Sequence, residues 1–179
     1  MAFFDLLAKR RSVRHYTEEP VSRKELEIIT EAGLMTPSSK NLRSTELLVV
    51  EERPTLQALA RCKPHFADML EEAAAAIVVM GHLDSHAWVE DASLALLAMM
   101  LQAEELGLGS CWVQVRHMVS ETLGEEGQPL TSHQYLQQLL DLPPEVEVEA
   151  ILALGHPARE LRPRTLEEAK PERIHWGKY

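Results

Sequence analysis

The sequence predicts one layered domain of the α+β or α/β class, and three observations support this prediction. Its 179 residues suit a single compact domain, and 45% of them are apolar, which is enough for a hydrophobic core. Four short apolar runs with strand character alternate along the chain with helical segments. Since no internal repeat, low-complexity tract or linker divides the sequence, residues 1–179 are expected to fold as one unit.

Six segments are predicted to be helical. The clearest start is Ser22, a candidate N-cap that Glu25 follows at the spacing of a capping box, with Val21 placed to pack on Leu26. The longest helix is apolar nearly all round from Leu94 to Leu101, so it is expected to be central and buried. The expected ranges are 3–10, 22–35, a short helix from 54, 65–72, 88–106 and 132–140, the last with Ser132 as its cap.

Four apolar runs are predicted to be strands, because each is short and is bounded by turn or breaker residues. These strands are expected at 46–51, 75–80, 109–115 and 146–154. The segment 121–131 holds two glycines and a proline and is predicted to be a loop.

Composition argues against several classes of protein. The formal net charge is −10, whereas general nucleic-acid binders and proteins of anionic membranes need a basic surface. Cys62 and Cys111 show neither a CxxC nor a metal-ligand spacing, which favours a reducing compartment. Residues 1–4 lack the features of a signal peptide, and the longest apolar run is too short to cross a bilayer. We therefore expect a cytoplasmic protein that binds neither nucleic acid nor membrane.

Two basic clusters stand out in this acidic chain. Four of the six residues from Lys9 to Arg14 are positive, and Ser12 adds a hydroxyl. Guanidinium groups match phosphate oxygens through paired hydrogen bonds, so this is a candidate phosphate site. The alternative is a solvated helix end that complements the helix dipole. The second cluster follows Gly155-His156-Pro157 and consists of Arg159, Arg162 and Arg164. The two basic clusters could meet on one phosphate.

Two further segments are candidates for binding. The turn from Thr36 to Asn41 is dense in side-chain donors, and it is either a ligand-binding loop or a plain helix stop. The segment from Gly107 to Gln114 begins like a dinucleotide fingerprint. It lacks the third glycine and precedes a strand, which argues against a Rossmann interpretation. Cys111 within it is interpreted as a small core residue rather than a nucleophile.

In this order, the four segments resemble the nitroreductase family of flavoproteins. The resemblance extends over nearly the whole chain and is carried by residues 10–14, 37–41, 107–114 and 154–157. It implies an α+β fold with a central mixed sheet flanked by helices, and an interlocked homodimer with FMN at the subunit interface. The charged segment 158–179, which has no core pattern, is then expected to wrap the partner subunit.

The resemblance also implies roles for individual residues. Arg10 matches a position that meets the FMN phosphate, and Arg162 and Arg164 match late phosphate ligands. Arg14 is expected to stabilise reduced flavin near N1 and the C2 carbonyl. No catalytic side chain is implied, because the flavin carries the redox chemistry. The implied FMN-binding residues are Arg10, Arg11, Ser12, Arg14, Pro37, Ser38, Ser39, Asn41, Trp112, Val113, Gln114, Arg162 and Arg164.

Two of these segments match parts of the family that approach the flavin ring. Residues 38–41 match a loop that usually comes from the other subunit, and 112–115 match the segment whose backbone N–H approaches flavin N5. Arg43 departs from the family's usual Gln-Pro-Trp continuation. It is expected to place a positive charge near the mouth of the site, which favours an anionic acceptor. Val115 stands where glycine is common and is expected either to narrow the pocket or to shift the N5 contact.

The implied activity is hydride transfer from NADH or NADPH, through flavin N5, to a nitroaromatic, quinone or similar small acceptor in a ping-pong cycle. Related alternatives are a reductive dehalogenase, a flavin-binding or storage module with little turnover, and a structural domain whose basic clusters are surface. A metal enzyme built on His82 and His86 is a further alternative. No metal site is predicted, because no third ligand is evident.

Overall fold

The computed structural model describes residues 2–179; Met1, the first residue of the predicted domain, lies outside them. Within this range, six helices pack around a four-stranded sheet and a small hairpin. The helices are α1 (Phe3–Lys9), α2 (Arg23–Leu34), α3 (Arg53–Leu59), α4 (Met69–Glu72), α5 (Trp88–Glu105) and α6 (Ser132–Leu140). The strands are β1 (Thr45–Val50), β2 (Ala75–His82), β3 (Gly109–Gln114), β4 (Val119–Leu123), β5 (Pro129–Thr131) and β6 (Val146–Gly155).

The central sheet has the strand order β1-β2-β6-β3, and every neighbouring pair is antiparallel. The expected mixed sheet is therefore not found among the named strands. β2 and β3 do run in the same direction, but β6 lies between them, so they share no hydrogen bonds. Parallel pairing is seen at the isolated bridge between Ser12 and Ser110, at the outer edge of β3.

Both faces of the sheet are buried. Neighbouring residues of β2 point to opposite faces, so Ile77 packs with α2 and α5 while Val78 packs with α3, α4 and α6. The capping box that begins α2 is confirmed: the amide of Glu25 donates to Ser22 Oγ, and the amide of Ser22 donates to Glu25 Oε2. Val21, which precedes this box, is buried in the same cluster as α2.

The long helix α5 is only partly buried. Leu94 and Leu97 are 44% and 43% exposed, which corrects the expectation of a helix enclosed on all sides. One face of α5 packs on the sheet and on α2, and the apolar stripe on the opposite face has no cover within residues 2–179. Gly107 ends the helix as predicted, with a left-handed φ of 79°.

Three local predictions differ from the structure. The predicted loop 121–131 forms most of the β4–β5 hairpin, whose tight turn contains Gly127 at a φ of 77°. The predicted helix 65–72 shortens to α4, because Phe66 adopts a left-handed φ of 61° that breaks a helix. The N-cap of α6 is Thr131 rather than Ser132. Within residues 2–179, no helix combines the length and apolar character needed to span a membrane.

Candidate functional site

The segment after α1 lies along the outer edge of β3. The amide of Val13 donates to the carbonyl of Ser110 at 2.9 Å, which fixes this segment against the sheet. Gly109 allows the close approach, because a Cβ placed there would lie 2.7 Å from Val13 Cγ1. Residues 10–14 are thereby held in an extended form, with Val13 in the core and Arg14 exposed.

The two basic clusters come together beside α1. The amide of Arg164 donates to the carbonyl of Ala8 at 2.8 Å, which brings the C-terminal segment to this helix. Arg10 is half-buried, and its pKa is lowered first by burial and then by the positive charge of Arg164. Such a grouping of like charges is unfavourable unless an anion compensates it. The structure thus joins residues that are far apart in sequence.

Arg162 takes a different position from Arg164. The Nη1 of Arg11 donates to the backbone oxygen of Arg162, so the main chain at this residue lies near the basic segment. The guanidinium of Arg162 itself pairs with Glu168, with Nη2 3.0 Å from Oε1. Its side chain is therefore engaged within the C-terminal segment and is not part of the group around Arg10.

A groove with two lobes runs beside these residues. The larger lobe has a volume of about 400 Å³ and the smaller one about 280 Å³. Both are lined by Arg11, Val13, Arg159 and Leu161; Lys9 and Glu104 belong to the larger lobe, and Ser12, Arg14 and His15 to the smaller. Arg159, which is not among the residues that the resemblance implies, lines both lobes, and its position shortly after Gly155-His156-Pro157 is the sequence signal for it.

The outer edge of β3 divides the predicted residues 112–115 into two groups. Because Ser110 points its backbone groups outward, the two-residue period of a strand points those of Trp112 and Gln114 outward as well. The backbone groups of Val113 face β6, and its side chain is fully buried. Val115 is also in the core, so its side chain does not narrow the groove. Val113 and Val115 are therefore the two members of this group that are placed away from the site.

The side chain of Gln114 is fixed by its neighbours. It accepts a hydrogen bond from Trp112 Nε1 at 2.8 Å and donates to the carbonyl of Arg116 at 3.2 Å. Arg116 pairs in turn with Glu149, whose side chain is almost fully buried on β6, at an Nε–Oε2 distance of 2.8 Å. These contacts hold the end of β3 in one arrangement.

The predicted loop 36–41 is anchored to the first turn of α5. Asp91, only 4% exposed, accepts from the backbone amide of Ser39 at 2.9 Å and from Ser44 Oγ at 3.2 Å. Ser38 Oγ accepts from the amide of Arg43 at 3.0 Å. Asp91 was not singled out in the sequence, since an acidic residue early in a helix is usual.

Arg43 is held by its own loop. Its Nη1 donates to the carbonyl of Leu34 at the end of α2, at 3.0 Å, and its Nε donates to Asn41 Oδ1 at 2.9 Å. The guanidinium is therefore bound to two neutral acceptors and keeps its positive charge. The preference for an anionic acceptor stays a prediction.

The loop and the groove lie at opposite ends of α5. Asp91 anchors the loop in the first turn, while Glu104, which lines the groove, is in the last. A helix rises 1.5 Å per residue, so these residues are separated by about 20 Å along the axis. Ser38, Ser39 and Asn41 are thus not brought to the basic residues within one chain.

The other reactive side chains have ordinary surroundings. Cys111 is confirmed as a core residue, and burial raises the pKa of its thiol. His82 Nε2 lies 2.7 Å from Glu46 Oε1, and His86 Nε2 lies 3.5 Å from Ser39 Oγ. Across residues 2–179, no group of three or more His, Cys, Asp or Glu side chains has the arrangement of a metal site.

The sequence pattern that defines the nitroreductase family matches residues 7–87 and 62–156. These ranges include the basic segment, the anchored loop and the whole central sheet. The chain belongs to the nitroreductase family.

Relatives of known structure or name support this assignment. A protein of Archaeoglobus fulgidus, provisionally named NADH dehydrogenase/NAD(P)H nitroreductase, is 31% identical over 97% of each chain. An FMN-dependent nitroreductase from Clostridium difficile R20291 has a TM-score of 0.91 and 32% identity, covering 99% of this chain and 100% of the other. A provisionally named nitroreductase from Desulfovibrio desulfuricans, solved in complex with FMN, has a TM-score of 0.74 and 27% identity over 98% of each. The α+β nitroreductase fold is confirmed.

Proposed function

We propose that this family member is an FMN-dependent oxidoreductase that transfers electrons from NADH or NADPH to a small acceptor. The observation that carries this proposal is the hydrogen bond from the Arg164 amide to the Ala8 carbonyl, which brings the two basic clusters together beside a groove along the edge of β3. The names of its relatives agree with it: one is an NADH dehydrogenase/NAD(P)H nitroreductase and another an FMN-dependent nitroreductase.

The basic residues beside the groove fit a phosphate group. Guanidinium groups bind phosphate oxygens through paired, charge-assisted hydrogen bonds. Burial, and then the positive charge of Arg164, lowers the pKa of Arg10, and a bound phosphate would offset both effects. Glu104 partly compensates the positive charge of Arg10. Burial raises the pKa of the Glu104 carboxyl, and the charges of Lys9 and Arg10 lower it. Binding the phosphate of FMN is therefore assigned to Arg10 and Arg164, with Arg11 in support.

The smaller lobe of the groove suits the remainder of FMN. Ser12 offers a hydroxyl and Arg14 an exposed positive charge, which favours a reduced and more negative ring. The backbone N–H groups of Trp112 and Gln114 line the same edge. The chemistry that FMN supplies when bound is transfer of electrons from a nicotinamide to an acceptor such as a nitroaromatic or a quinone. The protein binds, orients and shields the reacting groups.

The site is completed by a second copy of the chain. Residues 1–179 form one domain in this proposal, and the anchored loop of one subunit reaches the groove of the other. Two surfaces support a dimer: the exposed stripe of Leu94 and Leu97 on α5, and the segment 158–179, which carries the exposed Leu166 and Trp176. We propose that this segment wraps the partner subunit.

An absorbance spectrum tests the proposed oxidoreductase directly. The purified protein, supplied with FMN, is expected to retain flavin absorbance, and anaerobic NADH or NADPH is expected to bleach it. The faster donor identifies the preferred nicotinamide. A protein that binds flavin but does not bleach with either donor contradicts the oxidoreductase and indicates a storage role. A protein that takes up no FMN contradicts the whole proposal.

Subunit complementation tests the shared site. Arg10→Ala and Asn41→Ala, made in chains with different affinity tags, each alter a different half of the site. In the co-expressed heterodimer, one site receives both substitutions and the other receives neither. We expect each parent homodimer to bind FMN weakly and the heterodimer to regain one FMN with wild-type affinity. No recovery in the heterodimer contradicts a site shared between subunits.

A further inference from the structure

The contact between Arg43 and Asn41 determines which way the Asn41 amide faces. An arginine side chain has hydrogen-bond donors and no acceptor, so the amide atom that meets Nε at 2.9 Å is the oxygen. The Nδ2 group of Asn41 then points away from Arg43. Since Asn41 is exposed, both of its N–H donors are open to a ligand or a partner.

Arg43 is itself held by two contacts besides the one with Asn41. Its Nη1 is bound to the carbonyl of Leu34, and its backbone amide is bound to Ser38 Oγ. These contacts come from two different elements, α2 and the loop. The contact with Leu34 holds Nη1 at the end of α2 while Nε faces Asn41.

The backbone of the loop is strained where these residues lie. Lys40, Asn41 and Arg43 have φ values of 50°, 56° and 53°, in the left-handed region that glycine favours. Asparagine tolerates this region, but arginine and lysine adopt it at an energetic cost. Strain of this kind persists where surrounding contacts determine the conformation, and it is concentrated at binding sites.

We propose that Arg43 is a positioning residue that makes Asn41 a hydrogen-bond donor to a carbonyl oxygen of the FMN ring. The inference rests on the proposed function and deepens it. Without Arg43, the amide of Asn41 can rotate and offer its oxygen, which a flavin carbonyl repels. Arg43 therefore acts on the flavin through Asn41, while its own charge remains at the end of α2.

A spectroscopic test addresses the contact without FMN. Asn41 is the only asparagine in the chain, so selective ¹⁵N-asparagine labelling gives one side-chain N–H₂ pair. In the full-length protein we expect two dispersed, restrained proton resonances, which move toward free-asparagine positions in Arg43→Met. The matched control is Arg23→Met, which removes a similar Nε contact, 3.2 Å from Glu27, on the surface of α2. Identical Asn41 spectra in wild type and Arg43→Met would overturn the proposal.

An FMN titration tests the consequence for binding. We expect Asn41→Ala to weaken FMN about five- to tenfold and Arg43→Met to weaken it by a smaller factor. If Arg43 acts through Asn41, the double variant binds FMN as Asn41→Ala does. A double variant in which the two factors multiply would show that Arg43 acts independently, which overturns the proposal.

The variant Asn41→Asp separates the stability of the fold from the hydrogen bond that Asn41 donates to FMN. An aspartate at this position still pairs with Arg43, so the thermal midpoint should be retained, but it has no N–H donor. FMN should therefore bind at least about tenfold more weakly. FMN binding equal to wild type in Asn41→Asp contradicts the inference alone. If the wild-type protein binds no FMN, both the inference and the proposed function fail. The asparagine spectra still decide whether Arg43 holds Asn41.

Discussion

The carboxylate of Asp91 receives the backbone N–H of Ser39 at 2.9 Å and joins the long helix to the loop before β1. Asp91→Ala leaves this N–H and the hydroxyl of Ser44 without their partner, which costs about 1–3 kcal/mol. We expect urea unfolding to show that loss, together with weaker FMN binding because the loop is released. Asp91→Asn keeps one acceptor oxygen and should lose less on both measures. Equal stability of the alanine variant and wild type would contradict the anchoring role.

The buried ion pair at the end of β3 predicts a larger effect. Arg116→Met leaves the carboxylate of Glu149, with only 5% of its side chain exposed, without a compensating charge. Removing one partner of a buried pair costs about 3–5 kcal/mol, whereas replacing both is often neutral. Chemical unfolding should therefore show a large loss in Arg116→Met and recovery in Arg116→Met/Glu149→Leu. A loss no larger than that of the surface variant Arg23→Met would refute this account.

The basic cluster predicts a loss of affinity that is specific to phosphate. Arg10→Ala or Arg164→Ala removes a charge-assisted contact worth about 1.5–3 kcal/mol, which corresponds to FMN binding about ten- to a hundredfold weaker. Riboflavin, which has no phosphate, should bind equally well to wild type and to both variants. Arg173→Ala, an exposed arginine later in the C-terminal segment, serves as the control. Equal weakening of riboflavin would show that the variants disturb the fold rather than the phosphate contact.

The capping box predicts a pH-dependent contribution to stability. The side chain of Ser22, followed by its backbone amide, lowers the pKa of Glu25 below its ordinary 4.5. Because the folded pKa is depressed, this stabilisation is fully present above 4.5 and is lost as the pH falls through the folded value. Ser22→Ala should cost about 1 kcal/mol near neutral pH. Thermal melts should show the difference between variant and wild type shrinking below pH 4.5, whereas a constant difference would rule out the coupling.

Much of the fold could be predicted from local patterns. The four strands and the capping box at Ser22 follow from apolar periodicity and spacing, which depend on neighbouring residues alone. The left-handed Phe66, which shortens α4, has no comparable signal because most residues other than glycine avoid that conformation. The exposure of Leu94 and Leu97 could not be predicted either, since apolar character does not distinguish a core from a surface between subunits.

The candidate site, like the fold, could be predicted from the sequence only in part. Both basic clusters could be located in the sequence, but their meeting at Arg10 and Arg164 depends on the path of the whole chain. The burial of Val113 was predictable, because strand alternation places it opposite Trp112. The engagement of Arg43 was not, since it depends on three left-handed residues in one loop. The sequence shows that Arg43 is positively charged, but it does not show which groups the guanidinium contacts.

The length of α5 links flavin binding to subunit association in the proposed dimer. One helix holds the two halves of the proposed site about 20 Å apart, so a single chain cannot close both around one ligand. In the proposed dimer, cofactor retention and subunit association are then thermodynamically linked, and each stabilises the other. If the proposed dimer forms, we expect dilution of the protein to release flavin, and excess flavin to hold the subunits together at concentrations where the empty protein separates.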